Sequence, residues 1–214
     1  MFDFSEAPIT LILILVNVLV SGYALFFDES LIDRLAFKPR EILRQGQYRR
    51  LFTAGFVHVS GSHLLFNMIT LYFFGRPMEQ YVLGPGKFLL LYVGSELAAH
   101  ALSLVLHRDT AGYAAVGASG AISGVLFGYC LFAPLQPIYL FFVPIGIPAA
   151  LFAVGYVFLS MYAMRRGREG GRSMTGGIAH EAHLGGAFGG LLLTVLLEPR
   201  AISIFLQELS RIGM

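Results

Sequence analysis

Apolar stretches of about 20 residues, the length of a membrane-crossing helix, alternate with short polar segments along this sequence. The pattern predicts six spans, at residues 7–27, 62–83, 88–107, 114–133, 140–164 and 178–197. No Asp, Glu, Lys or Arg lies between Asp109 and Arg165, a stretch longer than two spans. Pro134 and Pro137 mark the break within it, because proline ends or kinks helices.

Two segments outside the spans mix polar and apolar residues. The first loop, residues 28–61, has scattered apolar positions that predict short interfacial helices broken near Pro39. The tail, residues 200–214, is amphipathic and is also expected to lie at the interface. No linker divides the chain, so we predict one all-α domain, residues 1–214, built as a polytopic bundle of six transmembrane helices.

Composition supports the membrane assignment. Hydrophobic residues make up 56% of the chain and charged residues 13%, against about 25% charged residues in soluble domains. The net charge of +2 gives no electrostatic argument for nucleic-acid binding. The single cysteine, Cys130, lies in an apolar run and is interpreted as a packing residue. The first span is preceded by acids and lacks a cleavage site, so we expect a retained helix rather than a signal peptide.

Strongly polar side chains inside the predicted spans are the candidates for function, because they are costly in lipid and usually face the bundle interior. His63 and Asn67 share one face near the start of the second span. Ser119 lies near the start of the fourth span, and His180 and His183 lie near the start of the sixth. These three spans run in the same direction, so their starts meet on one side of the membrane.

A serine and a histidine at one depth favour nucleophilic catalysis. The hydroxyl of Ser119 needs a base to take its proton, and histidine is the usual base. Candidate donors to an oxyanion are His63, Asn67 and the backbone N–H of Ser119, which lies near a positively polarised helix N-terminus. No Asp is spaced to orient the histidine, so the sequence predicts a dyad rather than a triad.

Glycines recur every four residues on two of these spans, at Gly120, Gly124 and Gly128 and at Gly186 and Gly190. Such stripes of small residues allow helices to approach closely. We therefore expect the fourth and sixth spans to pack together and to bring the serine within hydrogen-bond distance of a histidine. Leu193, which lies off the stripe, is expected to face lipid.

Other polar residues have simpler interpretations. Glu96 is read as a protonated or hydrogen-bonded interior group that pairs with His100 one helical turn away. His58 precedes the second span and is interpreted as an interfacial polar residue. A zinc site is not expected, because only one residue separates the glutamate after His180 from His183, whereas the metalloprotease pattern needs two.

Five short motifs occur in order along the chain. They are R-x-x-T at residues 50–53, H-x-x-x-N at 63–67, G-x-x-x-E at 75–79, G-x-S-G at 117–120 and A-H-x-x-G-x-x-x-G at 182–190. With these motifs the chain resembles the rhomboid family of intramembrane serine proteases from about Ile9 to Leu197. Each motif alone is weak, but all of them on the expected spans form a specific signal.

The resemblance implies roles for individual residues. Ser119 would be the nucleophile and His183 the base, rather than His180, which lacks a glycine three residues further on. His63, Asn67 and Ser119 would stabilise the oxyanion. The residues that would support the site structurally are Gly117, Gly120, Gly186, Gly190, Arg50 and Glu79.

The implied activity is a serine endopeptidase that cleaves transmembrane segments of other membrane proteins without a metal or other cofactor. Its expected partners are those substrates and the lipid bilayer, not nucleic acid. The expected location is a prokaryotic inner membrane, as a multi-pass protein, and the oligomeric state stays open. Two alternatives also stay open: a catalytically inactive rhomboid-like membrane chaperone, and a small-solute transporter, although no inverted repeat is visible.

The sequence departs from the family pattern at two positions. Arg49 stands where members carry the tryptophan of a Trp-Arg pair in the first loop. Ser123 stands four residues after the nucleophile, where members often carry an aromatic ring that supports the histidine. We therefore expect the anchoring of the first loop and the support of His183 to differ from the family pattern.

Charge gives a conflicting indication of orientation. The first, third and fifth loops hold 11 of the 15 Lys and Arg residues, and the positive-inside rule would place these loops and the site in the cytoplasm. The resemblance implies the reverse, because bacterial members usually have the site facing outward. We keep the family orientation, since several first-loop arginines are expected to be structural.

Overall fold

The computed structural model describes residues 6–139, 144–169 and 179–211, and the chain is mostly helical within them. The α-helices are α1 (Pro8–Phe26), α2 (Ser30–Leu35), α3 (Pro39–Gln45), α4 (Arg50–Thr53), α5 (Gly61–Thr70), α6 (Gly84–His107), α7 (Ser119–Phe132), α8 (Ala149–Glu169), α9 (His180–Leu197) and α10 (Ala201–Ser210). A 3₁₀ turn covers Ala54–Phe56, π-helical turns cover Leu71–Gly75 and Met78–Leu83, and the two strands are β1 (Pro137–Tyr139) and β2 (Gly146–Pro148).

Helix α1 keeps its few polar residues on one inward face. Thr10, Asn17 and Ser21 are fully buried, and spacings of seven and eleven residues place them on the same side of a helix. Leu19 and Phe26 are exposed. A helix with apolar residues outside and polar residues inside is suited to lipid, where polar groups must face the protein.

The first loop packs as a cap of short helices. Pro39 begins α3 instead of breaking a helix, because its fixed φ and missing N–H suit the first helical position. Phe37 forms an isolated bridge with Ala115, and its buried side chain packs with Tyr113 and Ile42. The first loop and the segment after α6 therefore lie together at one end of the bundle.

The helical run Gly61–His107 contains both the second and the third predicted span, and it reverses at Gly84. The backbone of Gly84 has φ of 72° and ψ of 169°, which is not helical. A Cβ on Gly124 would touch Ser95 and one on Gly128 would touch Met78. Gly124 and Gly128 are ~6 Å apart along α7, so Ser95 and Met78, which they contact, also lie close together. In a straight helix the 17 residues from Met78 to Ser95 would span ~25 Å, so the chain folds back between them.

Helix α7 begins later than the predicted fourth span, 114–133. Gly117 has a φ of 109°, which ends the extended segment before the helix, and Ser119 is the first helical residue. The 14 residues of α7 rise only ~21 Å, less than the ~30 Å of a hydrocarbon core. The helix that begins at Ser119 is therefore too short to cross the hydrocarbon core by itself.

The helix predicted at 140–164 begins later than expected, because a short hairpin precedes it, and the described residues are mostly helical with two strands. β1 and β2 pair antiparallel, and α8 begins only at Ala149. Residues 140–143 and 178 lie outside the described residues, as does most of the fifth loop, 165–177. α9 otherwise matches the predicted span 178–197.

The count of six full-length spans is not reproduced in the part of the chain that the structure describes. By length and composition, Pro8–Phe26 and Gly61–His107 can cross a membrane. His180–Leu197 and Ala201–Ser210, bent by 103°, add a third if the bent pair counts as one span. The bend turns the predicted tail helix, α10, back toward α7. The chain is an integral membrane protein by its apolar helices, but its helices differ in length.

Candidate active site

Helices α6, α7 and α9 pack closely enough for their backbones to touch. A Cβ on Gly186 would lie 2.0 Å from the carbonyl oxygen of Gly120, and one on Gly190 would lie 2.2 Å from Cα of Gly124. Gly189, on the neighbouring face of α9, would place a Cβ 2.3 Å from Cβ of Ala98 on α6. Only glycine fits at these crossings, so the predicted stripes do form the contact between α7 and α9.

This contact brings the serine and a histidine together. Nε2 of His183 lies 2.7 Å from Oγ of Ser119, within hydrogen-bond distance although 64 residues separate them. His183 is on the first turn of α9 and Ser119 is the first residue of α7. His180 does not share this contact, and its ring lies edge-on to that of His183 with the centroids 6.1 Å apart.

A cavity of about 210 Å³ opens in front of this pair. Its lining is mostly apolar and comes from α5, the π-helical turn Leu71–Gly75, α7, β1, α8 and α9: Asn67, Thr70, Phe74, Ser119, Ile122, Ser123, Leu126, Ile138, Tyr139, Phe152, Tyr156 and His183. Asn67 is therefore at the cavity. His63 is not among the lining residues within the described chain.

His63 instead packs behind the start of α7. A Cβ on Gly117 would lie 2.6 Å from Cε1 of His63, so the absence of a side chain at this glycine lets the backbone pass close to the imidazole. The backbone N–H of His63 donates to Oγ of Ser60, the N-cap residue of α5. The predicted pair of oxyanion donors is therefore divided between the cavity and its rear wall.

His58 is fully buried, so its interpretation as an interfacial residue was wrong. Its Nε2 lies 2.9 Å from the amide nitrogen of Asn67, and its Nδ1 lies 2.9 Å from Oγ of Ser21. An amide nitrogen can only donate, so Nε2 accepts and Nδ1 carries the proton. His58 thereby fixes the side chain of Asn67, a role that the position of His58 before the span does not indicate.

Position 123 carries no aromatic ring, but a tyrosine on another helix lies beside His183. The ring of Tyr156, on α8, is nearly parallel to that of His183, with an interplanar angle of 22° and centroids 6.2 Å apart. The hydroxyl of Tyr156 lies 2.8 Å from Oγ of Ser123. Sequence reasoning did not identify Tyr156, because nothing in its apolar surroundings on α8 distinguishes it.

Arg50 and Glu79 do not line the cavity, and each connects separate elements of the scaffold. Arg50 is buried and donates to the backbone oxygens of Asp33 and Ala36, which fastens the first loop. The carboxylate of Glu79 accepts from the backbone N–H groups of Ile9 and Thr10 in the first turn of α1. Both residues therefore connect separate elements of the fold.

Glu181 forms a separate polar cluster on the opposite side of α9. Its Oε1 accepts a 2.5 Å hydrogen bond from the hydroxyl of Tyr113 and lies 3.2 Å from Nε2 of His107. The rings of Tyr113 and His107 are stacked with centroids 3.9 Å apart. This cluster ties the start of α9 to the end of α6.

Known proteins match the chain over most of its length. The Rhomboid domain family matches residues 45–200. Rhomboid protease GluP of Bacillus subtilis (strain 168) is 33% identical over 75% of this chain and 31% of its own length. RHOMBOID-like protein 12, mitochondrial, of Arabidopsis thaliana is 28% identical over 86% and 56%, and Rhomboid protease AarA of Providencia stuartii is 26% identical over 95% and 78%. The chain thus spans about a third and just over half of the first two relatives.

Proposed function

Because this chain belongs to the rhomboid family, we propose that it is an intramembrane serine protease that cleaves transmembrane segments of other membrane proteins. Ser119 is the nucleophile and His183 the base in this proposal. The observation that carries it is the 2.7 Å distance between Oγ of Ser119 and Nε2 of His183 beside a cavity bordered by several helices.

The geometry supports a two-step acyl transfer. Nε2 of His183 takes the hydroxyl proton as Oγ of Ser119 attacks the scissile carbonyl carbon. The resulting imidazolium gives that proton to the leaving amine as the peptide bond breaks, which leaves an ester on Ser119. A water molecule, deprotonated by His183, then attacks the ester, and the carboxylic acid product leaves as the proton returns to Ser119.

The oxyanion of each tetrahedral intermediate needs preorganised donors. Asn67 lines the cavity and has one amide hydrogen directed to His58, which leaves the second for the substrate oxygen. The backbone N–H of Ser119, at the positive end of α7, is the other donor in this proposal. His63 would contribute mainly through Gly117, against which it packs.

We also propose that the bundle crosses the membrane six times, with α7 reaching only part of the way across. The reversal at Gly84 and the short α7 support this arrangement. A helix that starts at Ser119 below the membrane surface would leave room for water above the dyad. The membrane in this proposal is a prokaryotic inner membrane. The relatives include both bacterial and mitochondrial proteins.

A fluorophosphonate probe tests the proposal, because it reacts with an activated serine. We expect the wild-type protein in detergent to be labelled and to cleave a reporter transmembrane substrate. Ser119→Ala and His183→Ala should each abolish both signals while the protein stays folded. The double variant should be no worse than either single one, since the two residues act as a unit.

His180→Ala is the matched control, because His180 is on the same turn but makes no contact with Ser119 among the described residues. It should retain most of the activity. Labelling that persists in Ser119→Ala would reject the nucleophile. A wild-type protein that is folded but unlabelled would favour the chaperone or transporter alternatives.

A further inference from the structure

Glu96 is a buried acid in the middle of α6, and its carboxylate reaches the helix that carries the proposed nucleophile. The residue is 6% exposed. Oε2 lies 2.9 Å from the backbone nitrogen of Ala121, which donates to it. Ala121 is the third residue of α7, two positions after Ser119.

The first turn of α7 lacks an acceptor of its own. The N–H groups in the first turn of any helix have no carbonyl partner within that helix. A side chain at the N-cap usually supplies one, but the N-cap residue here is Ala118, which makes no such bond. Glu96 supplies the acceptor from a neighbouring helix. An electronegative carboxyl oxygen at this place also suits the positive end of the helix dipole.

Two glycines leave the space that the carboxylate occupies. A Cβ on Gly55 would lie 2.8 Å from Oε1 of Glu96, and a Cβ on Gly120 would lie 3.0 Å from Oε2. Gly55 belongs to the first loop and Gly120 to α7, so the carboxylate is clamped between both elements. A methyl group on either side would displace it.

His100 completes the arrangement by joining Glu96 to the first loop. Its Nε2 lies 3.4 Å from Oε1 of Glu96, and its Nδ1 lies 2.9 Å from the carbonyl oxygen of Leu51, to which it donates. Its ring stacks on Phe37 with centroids 4.4 Å apart and an angle of 4°.

We propose that Glu96 is a positioning residue for Ser119. It occupies the N–H of Ala121 and fixes the first turn of α7, which sets the direction of the serine hydroxyl and leaves the N–H of Ser119 for the oxyanion. Through His100 the same acid ties this turn to the first loop. The inference rests on the proposed protease function, since its measure is the reactivity of Ser119.

The test compares Glu96→Leu, which keeps the volume but has no acceptor, with Glu96→Gln, which keeps an oxygen for Ala121 and can donate to His100. We expect Glu96→Leu to slow fluorophosphonate labelling and to lower kcat at least about tenfold with little change in KM, because a shift of ~1 Å can cost ~100-fold. Glu96→Gln should stay within about threefold of wild type, because it keeps an acceptor for the N–H of Ala121 and a polar partner for His100.

Asn17→Leu is the control, because Asn17 is a fully buried polar residue of α1 that donates to the backbone oxygen of Leu13, and α1 carries no proposed site residue. It should lower the midpoint of thermal unfolding, as Glu96→Leu does, but leave the labelling rate of the folded protein unchanged. Equal loss of labelling in the two variants would reduce Glu96 to general stability and overturn the inference.

Gly55→Ala keeps the test decisive if Glu96→Leu does not fold. Its methyl group would push Oε1 away without removing the acid, and labelling should slow by several-fold. Labelling of Gly55→Ala or Glu96→Leu at the wild-type rate would overturn the positioning role alone. Absence of labelling in the folded wild-type protein would instead reject the protease function on which it rests.

Discussion

At the scale of single residues, the orientation of His183 depends on contacts from helices other than its own. Tyr156 lies parallel to its ring from α8, and Ser123 on α7 lies at hydrogen-bond distance from the tyrosine hydroxyl. In the proposed mechanism the imidazole of His183 takes a proton from Ser119 and delivers it to the leaving group, which requires a fixed ring plane. We therefore propose that Tyr156 on α8 provides the aromatic support that the family pattern places at position 123.

Tyr156→Leu tests this support. It removes the parallel ring, and an aromatic pair of this kind contributes about 0.5–1.5 kcal/mol, so we expect kcat to fall about 2- to 12-fold. Tyr156→Phe keeps the ring and Ser123→Ala removes only the partner of the hydroxyl, and both should stay within about twofold of wild type. Steady-state cleavage of a reporter substrate in detergent gives kcat and KM separately.

Tyr129→Leu is the control for this series. Tyr129 is also on the bundle interior but lies edge-on to Phe74 rather than beside His183, so its loss should affect thermal stability and not kcat. If Tyr156→Phe were as slow as Tyr156→Leu, the hydroxyl rather than the ring would be the supporting group.

At the scale of elements, the crossing of α7 and α9 sets the distance between the two proposed catalytic residues. Gly186 and Gly190 face Gly120 and Gly124 with their backbones in contact. Packing is a main source of helix association in lipid, so this crossing contributes to the fold and to the site together. Any side chain inserted there must separate the helices that carry Ser119 and His183.

Gly186→Leu should therefore impair both stability and catalysis. A leucine must push α9 away from α7, and a displacement of ~1 Å at reacting groups can cost ~100-fold in rate. We expect a lower midpoint of thermal unfolding in detergent and a loss of cleavage of about that size. The measurement is the cleavage rate per folded molecule alongside the unfolding curve.

Gly22→Leu on α1 is the matched control, because a Cβ at Gly22 would meet no atom within 4 Å. It should be mild by both measures. Leu193, expected from the sequence to face lipid, is unsuitable, since its Cδ1 would lie 2.6 Å from a Cβ on Gly94 of α6. Normal stability and cleavage in Gly186→Leu would contradict the close crossing of α7 and α9.

At the scale of the whole molecule, the first and third loops lie together at the end of the bundle where α7 starts. Arg40 of the first loop donates to the backbone oxygen of Asp109 beyond α6, so these two loops lie on the same side. Several of the basic residues are engaged within the first loop: Arg34 with Asp28, Lys38 with Asp33, and Arg50 with backbone oxygens. This engagement supports a structural rather than topogenic role for them.

Cysteine accessibility in intact bacterial cells tests the resulting orientation. In a background with the native cysteine replaced, Cys130→Ala, we expect Thr110→Cys to react with a membrane-impermeant maleimide added outside. Lys87→Cys, at the opposite end of the bundle, should react only after the cells are permeabilised. Both Thr110 and Lys87 are exposed, so burial does not limit labelling. The reverse pattern would place the site in the cytoplasm, as the positive-inside rule predicts.

The sequence by itself determined where the apolar helices run and which polar residues to suspect. α1 and α9 agree with their predicted spans to within two residues at each end, because uninterrupted apolarity is a local property of the chain. Ser119 and His183 could be singled out because a strongly polar residue in an apolar span is rare. The glycine stripes indicated the crossing of α7 and α9, since the spacing of small residues is also local.

Only the tertiary structure decided which other side chains meet the site. Glu96 bonds to a backbone group 25 residues away, Tyr156 lies at hydrogen-bond distance from a side chain 33 residues away, and His58 reaches Ala118 across 60 residues. Apolar spans are similar to one another in sequence, so their composition does not specify which faces come together. The start of α7 and the hairpin before α8 escaped prediction for the same reason: both depend on contacts with neighbouring segments, not on local apolarity.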